Sequence, residues 1–324
     1  MVQLAFQGNC YELRAGESVL ECLERQGIAP ASSCRSGICQ TCLMRATEGV
    51  PSPVSQQGLK DTLRAQNYFL ACVCKPQNDL TVSLPDEGAV QRSIVEMVSR
   101  EPLNGDTFRL VLQCVKPFEF RAGQFVQLIR ADGLMRVYSL ANLPSSEGVL
   151  EMHIRRLPNG AMSEWLFSEA QLGESLEVVG PSGSCFYLGD DLDRPLLLAA
   201  TGTGLAPLWG ILNDALEQGH RGGIALYHGS YTREGLYFVE ELRALAERYP
   251  QLRYVPCVDE GEAADGLVVG RTDLVALEQC PQLKGYRVYV CGHPSMVSSL
   301  KRRAFLAGAS LQDIYADPFL PSST

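Results

Sequence analysis

Cys34-Arg-Ser-Gly-Ile-Cys39-Gln-Thr-Cys42 sets three cysteines in one short loop, and Cys72 follows thirty positions after the last of them. This C-x4-C-x2-C run with a distant fourth cysteine is the ligand spacing of a [2Fe–2S] cluster. Four thiolates that must converge dictate how the chain on either side folds back. The loop's N–H groups can turn inward to the sulfurs, and Gly37 permits the close approach because it has no Cβ. Zinc sites usually draw on two separate C-x2-4-C or H-x3-5-H pairs, and no second pair follows at that spacing. Cys34, Cys39, Cys42 and Cys72 are therefore the candidate metal ligands. Cys74 competes for the fourth place, since in a strand it would share a face with Cys72.

At 324 residues the chain suits two or three domains. A net charge of −9 without a Lys/Arg run argues against nucleic acid and anionic membrane surfaces as partners. Twelve cysteines behind an opening that reads as a strand, not a leader, point to thiolate chemistry in the cytoplasm. Pro195 to Leu212 carries no charge, but its Thr201-Gly-Thr-Gly-Leu-Ala-Pro207 centre would break a spanning helix, so strand, loop and helix are expected.

Val2, Leu4 and Phe6 alternate ahead of a turn and Tyr11 to Leu13, which predicts an opening hairpin. Ser18-Val-Leu-Glu21 is a capping box for a helix that Gly27 ends, and Leu80 to Leu84 supplies a closing strand. Hairpin, helix, cysteine loop and final strand resemble the β-grasp fold of plant-type ferredoxins, with Pro76 four positions after Cys72. That resemblance favours Cys72 over Cys74 as the fourth ligand and leaves Cys74 to packing. Cys10, Cys22, Cys114, Cys185, Cys257 and Cys280 read as small buried hydrophobes.

Pro85 to Arg92 is polar and reads as a linker. Short alternating runs follow at 93–98, 108–115, 124–129, 150–155 and 175–179, as a closed antiparallel barrel requires. Within them, Arg136-Val137-Tyr138-Ser139 puts a cation and a phenol on one face of a strand. Arg-x-Tyr-Ser resembles the flavin signature of the ferredoxin–NADP reductase superfamily. Ala122-Gly-Gln-Phe125 before it and Gly180-Pro-Ser-Gly183 after it match the same family. The resemblance implies that Arg136 holds a flavin pyrophosphate, Tyr138 covers the ring and Ser139 hydrogen-bonds flavin N5. It further implies that Val137 and His153-Ile154-Arg155 contribute contacts, and that Gly160-Ala161-Met162-Ser163 opens a phosphate-binding helix. The Gly-x-x-Ser form resembles the FAD-binding members, with FMN the alternative.

From Arg194 strands and helices alternate, and Leu196 to Ala200 is apolar throughout, as in a parallel sheet covered on both faces. Thr201-Gly202-Thr203-Gly204 with Pro207 departs from Gly-x-Gly-x-x-Gly but resembles the superfamily's coenzyme-pyrophosphate loop. Cys291-Gly292-His-Pro294 resembles its nicotinamide-side motif, with Cys291 implied beside the hydride-carrying carbon. The apolar tail Ile314 to Phe319 is expected to dock, with Phe319 over the outer flavin face, where the coenzyme must displace it.

These patterns predict a ferredoxin domain over 1–87, a Greek-key flavin barrel over 88–190 and an α/β nucleotide-binding domain over 191–324. Their order resembles the reductase components of bacterial multicomponent oxygenases. The implied activity is hydride transfer from NADH to FAD, then single electrons through a [2Fe–2S] cluster to an oxygenase, with the flavin bridging two-electron donor and one-electron acceptor. A CDP-6-deoxyglucoseen-type sugar deoxygenation partner and a redox-sensing iron–sulfur flavoprotein are the alternatives. The chain is expected to be a monomer, and Arg35 and Arg45 near the cluster suggest an acidic patch on the acceptor. Tyr231 stands where the family often carries a phosphate-clamping arginine, so NADH is expected over NADPH. Thr232 and Arg233 then lie at the adenosine ribose, with Arg233 solvated or paired to Glu234.

Overall fold

The computed structural model describes residues 2–85, 91–263 and 265–320, which form two compact units, Met1–Val90 and Gln91–Thr324. Most of the expected linker lies outside the described residues. Its last two positions do not: Gln91 and Arg92 already pair with Gly180 and Val179 in the first strand of the second unit.

In the first unit, β1 (Gln3–Phe6) and β2 (Asn9–Glu12) form the expected hairpin, turning at Gln7 and Gly8. α1 (Val19–Arg25) starts at a reciprocal cap in which the Glu21 N–H donates to Ser18 Oγ and the Ser18 N–H to Glu21 Oε2, at 3.2 and 2.8 Å. β3 (Leu43–Glu48), α2 (Asp61–Ala65), β4 (Tyr68–Leu70) and β5 (Leu80–Ser83) complete it. The sheet runs β2-β1-β5-β3-β4, with β1 and β5 parallel. α1 buries Leu20 and Leu23 in one core with Leu4, Phe6, Met44 and Phe69, each such side chain contributing roughly 1.5–3 kcal/mol.

In the second unit, the first sheet contains β6 (Gln91–Pro102), β7 (Thr107–Cys114), β8 (Phe125–Ile129), β9 (Met135–Ser139), β10 (Val149–Arg155) and β11 (Ser175–Ser182). α3 (Ala161–Ser168) lies between the last two strands. Its order is β10-β7-β6-β11-β8-β9, antiparallel throughout. The seam between β9 and β10 is joined just past β9. The Ala141 N–H donates to the Glu151 carbonyl at 2.8 Å, and Asn142 donates to the Val149 carbonyl and accepts from the Glu151 N–H. The barrel is thus nearly closed around Phe108, Leu110, Val126, Leu150 and Met152.

The second sheet is formed by β12 (Leu196–Thr201), β13 (Ile224–Ser230), β14 (Leu252–Val258), β15 (Val268–Val269), β16 (Arg287–Gly292) and β17 (Ile314–Pro318). α4 (Leu205–Glu217), α5 (Val239–Arg248), α6 (Thr272–Gln279) and α7 (Pro294–Leu306) connect them. All strands are parallel in the order β15-β14-β13-β12-β16-β17. The chain leaves β12 for β13 on one side and later returns to β16 on the other, so a crevice opens at the carboxyl end of β12. The uncharged stretch becomes β12, a tight turn and α4, and no described helix is long and apolar enough to cross a membrane.

Two cysteine expectations need correction. Cys10 is exposed because β2 is an edge strand, and Cys280 is half-buried at the end of α6, its Sγ 3.4 Å from the Tyr227 hydroxyl. Cys22, Cys114, Cys185 and Cys257 are buried. Cys74 is buried in the first core, in a turn region and not on a strand shared with Cys72.

The turn after β12 packs directly on the end of β16. A Cβ on Gly204 would stand 2.3 Å from the Cys291 carbonyl oxygen, a contact no side chain can make. Gly204→Ala should therefore destabilise the protein by about 1–3 kcal/mol in urea unfolding. Gly223→Ala, where a Cβ meets nothing within 4 Å, should leave the midpoint nearly unchanged.

Candidate functional site

The carboxyl ends of the parallel strands and the rim of the barrel enclose a cavity of about 1120 Å³. β9 contributes Val137, Tyr138 and Ser139, and β10 contributes His153, Ile154 and Arg155. Thr201, Gly202 and Thr203 come from the turn after β12, Thr232 from beyond β13, Gly292 from the end of β16 and Phe319 from beyond β17. Other expected site residues do not line it. Arg136 donates from Nη1 to the Met135 carbonyl at 2.8 Å. Gly160 is the N-cap of α3, Met162 lies in the barrel core, and Ser163 Oγ accepts from the Leu157 N–H at 3.1 Å. Ala161 begins α3. Gly204 and Pro207 are packed at the start of α4. Arg233 stays exposed, one of the two outcomes expected of it, and forms an exposed pair with Asp265 at 3.1 Å, while Glu234 accepts from Thr232 and is lowered further by the Arg233 charge.

Cys291 is fully buried, with its Sγ 3.9 Å from Cys185 Sγ, and burial pushes its thiol well up. What borders the cavity beside it is Gly292, whose carbonyl accepts from the Phe319 N–H at 2.8 Å. The tail is therefore a sixth strand, with Tyr315 stacked on Tyr289 at 5.1 Å, and it delivers Phe319 to the cavity.

Asp317 was not singled out from the sequence. β17 sets it opposite Cys291, and it lines the cavity beside Ser139. Burial pushes its carboxyl up to about 6, against the lowering effect of a hydrogen bond from Ser139. A carboxyl group inside an otherwise apolar terminal run was the available signal.

A second polar group braces β10. Burial would raise the Glu151 carboxyl, but hydrogen bonds from His153 and Arg109 hold it below the usual range. Burial keeps His153 neutral. A carboxylate only accepts, so His153 Nε2–H donates to Glu151 at 3.1 Å and Nδ1 accepts the Tyr237 hydroxyl at 3.1 Å. His228 lies fully buried beside these groups, pushed down to about 3 by burial first and then by His153. Uncharged histidines thus underlie the Gly202 turn.

In the first unit, the cysteines meet as two pairs. The Cys34 N–H points at Cys39 Sγ at 3.4 Å, and the Cys39 and Ser36 N–H groups point at Cys34 Sγ at 3.3 and 3.5 Å. Hydrogen bonds from the Ser36 hydroxyl and these amides bring the Cys34 thiol down to about 5, and Thr41 chiefly lowers Cys39. Cys42 and Cys72 hydrogen-bond one another, with the Gly37 N–H also at the Cys72 sulfur, while burial pushes Cys72 up to about 11. Amides aimed at sulfur and a thiol poised to ionise suit thiolate ligation of a cluster.

Asp317 gives a pH signature. Its folded-state value lies above its ordinary 3.8, so the stability of the protonated form is lost as pH rises from about 4 through about 6. Asp317→Asn should be more stable than wild type by on the order of 2–3 kcal/mol at pH 8. That advantage should shrink by pH 5 in urea titrations of the flavin-loaded protein.

Three family models match consecutive stretches: a 2Fe-2S iron-sulfur cluster binding domain over residues 4–77, an oxidoreductase FAD-binding domain over 95–187 and an oxidoreductase NAD-binding domain over 198–302. The naphthalene 1,2-dioxygenase system ferredoxin–NAD(P)(+) reductase component of Pseudomonas putida is 33% identical, covering 95% of this chain and 94% of its own. The reductase subunit of an aromatic O-demethylase from Amycolatopsis sp. is 33% identical over 98% of both. The crystal structure of the Amycolatopsis cytochrome P450 reductase GcoB superimposes with a TM-score of 0.70 at 30% identity and full coverage of both chains. With these relatives spanning it nearly end to end, the chain belongs to the family of [2Fe–2S], FAD and NAD(P)H-dependent oxidoreductases that includes the reductase components of oxygenase systems.

Proposed function

We propose that this protein is the reductase component of an oxygenase system, oxidising NADH and passing single electrons to a protein acceptor. The observation that carries the reading is the cavity shared by β9, the turn after β12 and the end of β16, in a chain that also matches an iron–sulfur domain. The bound groups supply hydride acceptance at the flavin and one-electron transfer at the cluster.

The residues then act as follows. Ser139, whose hydroxyl donates to the Asp317 carboxylate, would turn that single donor to flavin N5. Tyr138 and Phe319 bracket the ring, and Phe319 yields its place to nicotinamide. Arg136 turns from the Met135 carbonyl to the FAD pyrophosphate, and Gly160 to Ser163 offer N–H groups at the start of α3. His153, Ile154 and Arg155 flank the flavin along β10. Thr201 to Gly204 receive the coenzyme pyrophosphate, with Pro207 fixing the start of α4, and Thr232 and Arg233 flank its adenosine. Cys291 acts through packing, holding Gly292 against the nicotinamide. Cys34, Cys39, Cys42 and Cys72 would hold the cluster, and their meeting as two pairs suits a two-iron group better than one tetrahedral ion. The division into 1–87, 88–190 and 191–324 follows the three chemistries, and a reducing cytoplasm suits the thiolate chemistry of a chain with twelve cysteines, acting as a monomer.

Anaerobic titration of the purified protein with NADH should bleach flavin and cluster absorption together and give a reduced-cluster EPR signal. Flavin reduction with an unchanged cluster would refute the electron path. Cys72→Ser should lose most of the iron and that signal, whereas Cys74→Ser should keep both; equal loss in the two would overturn the pairing.

A further inference from the structure

The loop after β13 lines one side of the cavity through Ser230, Thr232, Glu234 and Gly235. That loop is tied to the flavin barrel at two points. Asn104, in the turn between β6 and β7, donates from Nδ2 to the Gly235 carbonyl at 2.9 Å, while its Oδ1 accepts the Asp106 and Thr107 N–H groups at 3.1 and 2.8 Å. Two residues on, the Tyr237 hydroxyl donates to His153 Nδ1 at 3.1 Å. Both ties lead to β10, since Thr107 pairs with Arg155 and His153 belongs to that strand. Tyr237 and His153 are buried, so breaking their bond would leave two polar atoms unpaired away from water. Phe238, the next residue, is strained. Its backbone is left-handed, with φ 55° and ψ 26°, an outlier for a bulky side chain. Its ring stands edge-on to His153 at 5.1 Å and lies 4.9 Å from Trp209 of α4, the helix that follows the Gly202 turn. Strained backbone persists only where packing over-determines it, and it collects at switching segments.

We propose that Tyr237 and Asn104 transmit occupation of the coenzyme loop to β10, so that filling the diphosphate and ribose end of the coenzyme site tightens the strand that flanks the flavin. This rests on the NAD(P)H-oxidising function proposed above. Tyr231, Arg233 and Glu234 are exposed, whereas Leu236 and Tyr237 are buried, so the loop is free at the ligand's end and anchored at the barrel's. Phe238 supplies the second state. Freed from His153 and Trp209, its backbone relaxes out of the left-handed region and carries Tyr237 with it. A ligand that holds the loop in place favours the strained arrangement, in which the bond to His153 is made. By linkage, a β10 settled around flavin favours the coenzyme in return.

The probe is ADP-ribose, which has the coenzyme's diphosphate and riboses but no nicotinamide to stack on the flavin. Hydrogen–deuterium exchange is followed in the flavin- and cluster-loaded protein with and without a saturating amount of it. In wild type the probe should slow exchange of the loop amides at 230–238 and, by about fivefold, that of the β10 amides. Tyr237→Phe should keep the loop's protection at the same occupancy and lose most of the effect on β10. Protection of β10 that survives in the folded Tyr237→Phe protein overturns the proposal, as does wild-type protection confined to the loop. Should that variant lose its flavin, Asn104→Asp decides, because it keeps the Oδ1 cap and removes the donor to Gly235. Weaker protection of β10 than in wild type supports the linkage, and undiminished protection overturns it. ADP-ribose that protects nothing in the loop overturns the coenzyme site as well, and with it the underlying function.

Discussion

The contact between the turn after β12 and the end of β16 is the constraint on which the second unit's site depends. Gly204 can approach the Cys291 carbonyl only without a side chain. Thr201 Oγ1 adds a bond to the contact by accepting the His293 N–H at 2.9 Å. Both glycine motifs are therefore halves of one joint. The joint sets the start of α4 beside the start of α7 and leaves the carboxyl end of the sheet open. Every other group at the cavity is placed relative to it: β17 reaches Gly292 through the Phe319 N–H, and β10 presents His153 across the barrel rim.

What could be read from the sequence was what lies close together along the chain. The cysteine loop, the Ser18 capping box, Arg136 to Ser139 and Thr201 to Gly204 each carry spacing or backbone chemistry within a few residues. The three-part architecture followed from their order. What could not be read was assembled from distant segments. Asp317 becomes a site residue only because β17 adds to β16 and meets Ser139 from another sheet. Arg271, Asp273 and Ser299 form one network across α6 and α7, and nothing in their local sequence announces it. Arg233 stays exposed, as one of its two expected outcomes had it, but its ion-pair partner, Asp265, lies 32 positions along the chain. Cys10 misled because burial depends on which strand forms the sheet edge.

The polar interior has a consistent logic. Glu151 stays charged because Arg109 and His153 serve it, while His153 and His228 stay neutral under burial. A charged histidine beneath the Gly202 turn would repel its neighbour and lack solvation. The turn instead rests on neutral rings, so the local field at a bound anion comes from backbone dipoles and not from a titrating group. Asp317, which accepts from Ser139, is a carboxyl at the cavity wall that burial shifts toward its neutral form.

The barrel seam has a chemical consequence. Beside the Ala141 backbone bond, Asn142 holds it with one side chain, donating through Nδ2 to the Leu143 and Val149 carbonyls and accepting at Oδ1 from the Glu151 N–H. Deamidation at this single position would exchange the donor for a carboxylate oxygen. Two carbonyls would lose their partner and face a negative charge instead, so chemical ageing of one amide would leave the seam beside Ser139 and His153 to the Ala141 backbone bond.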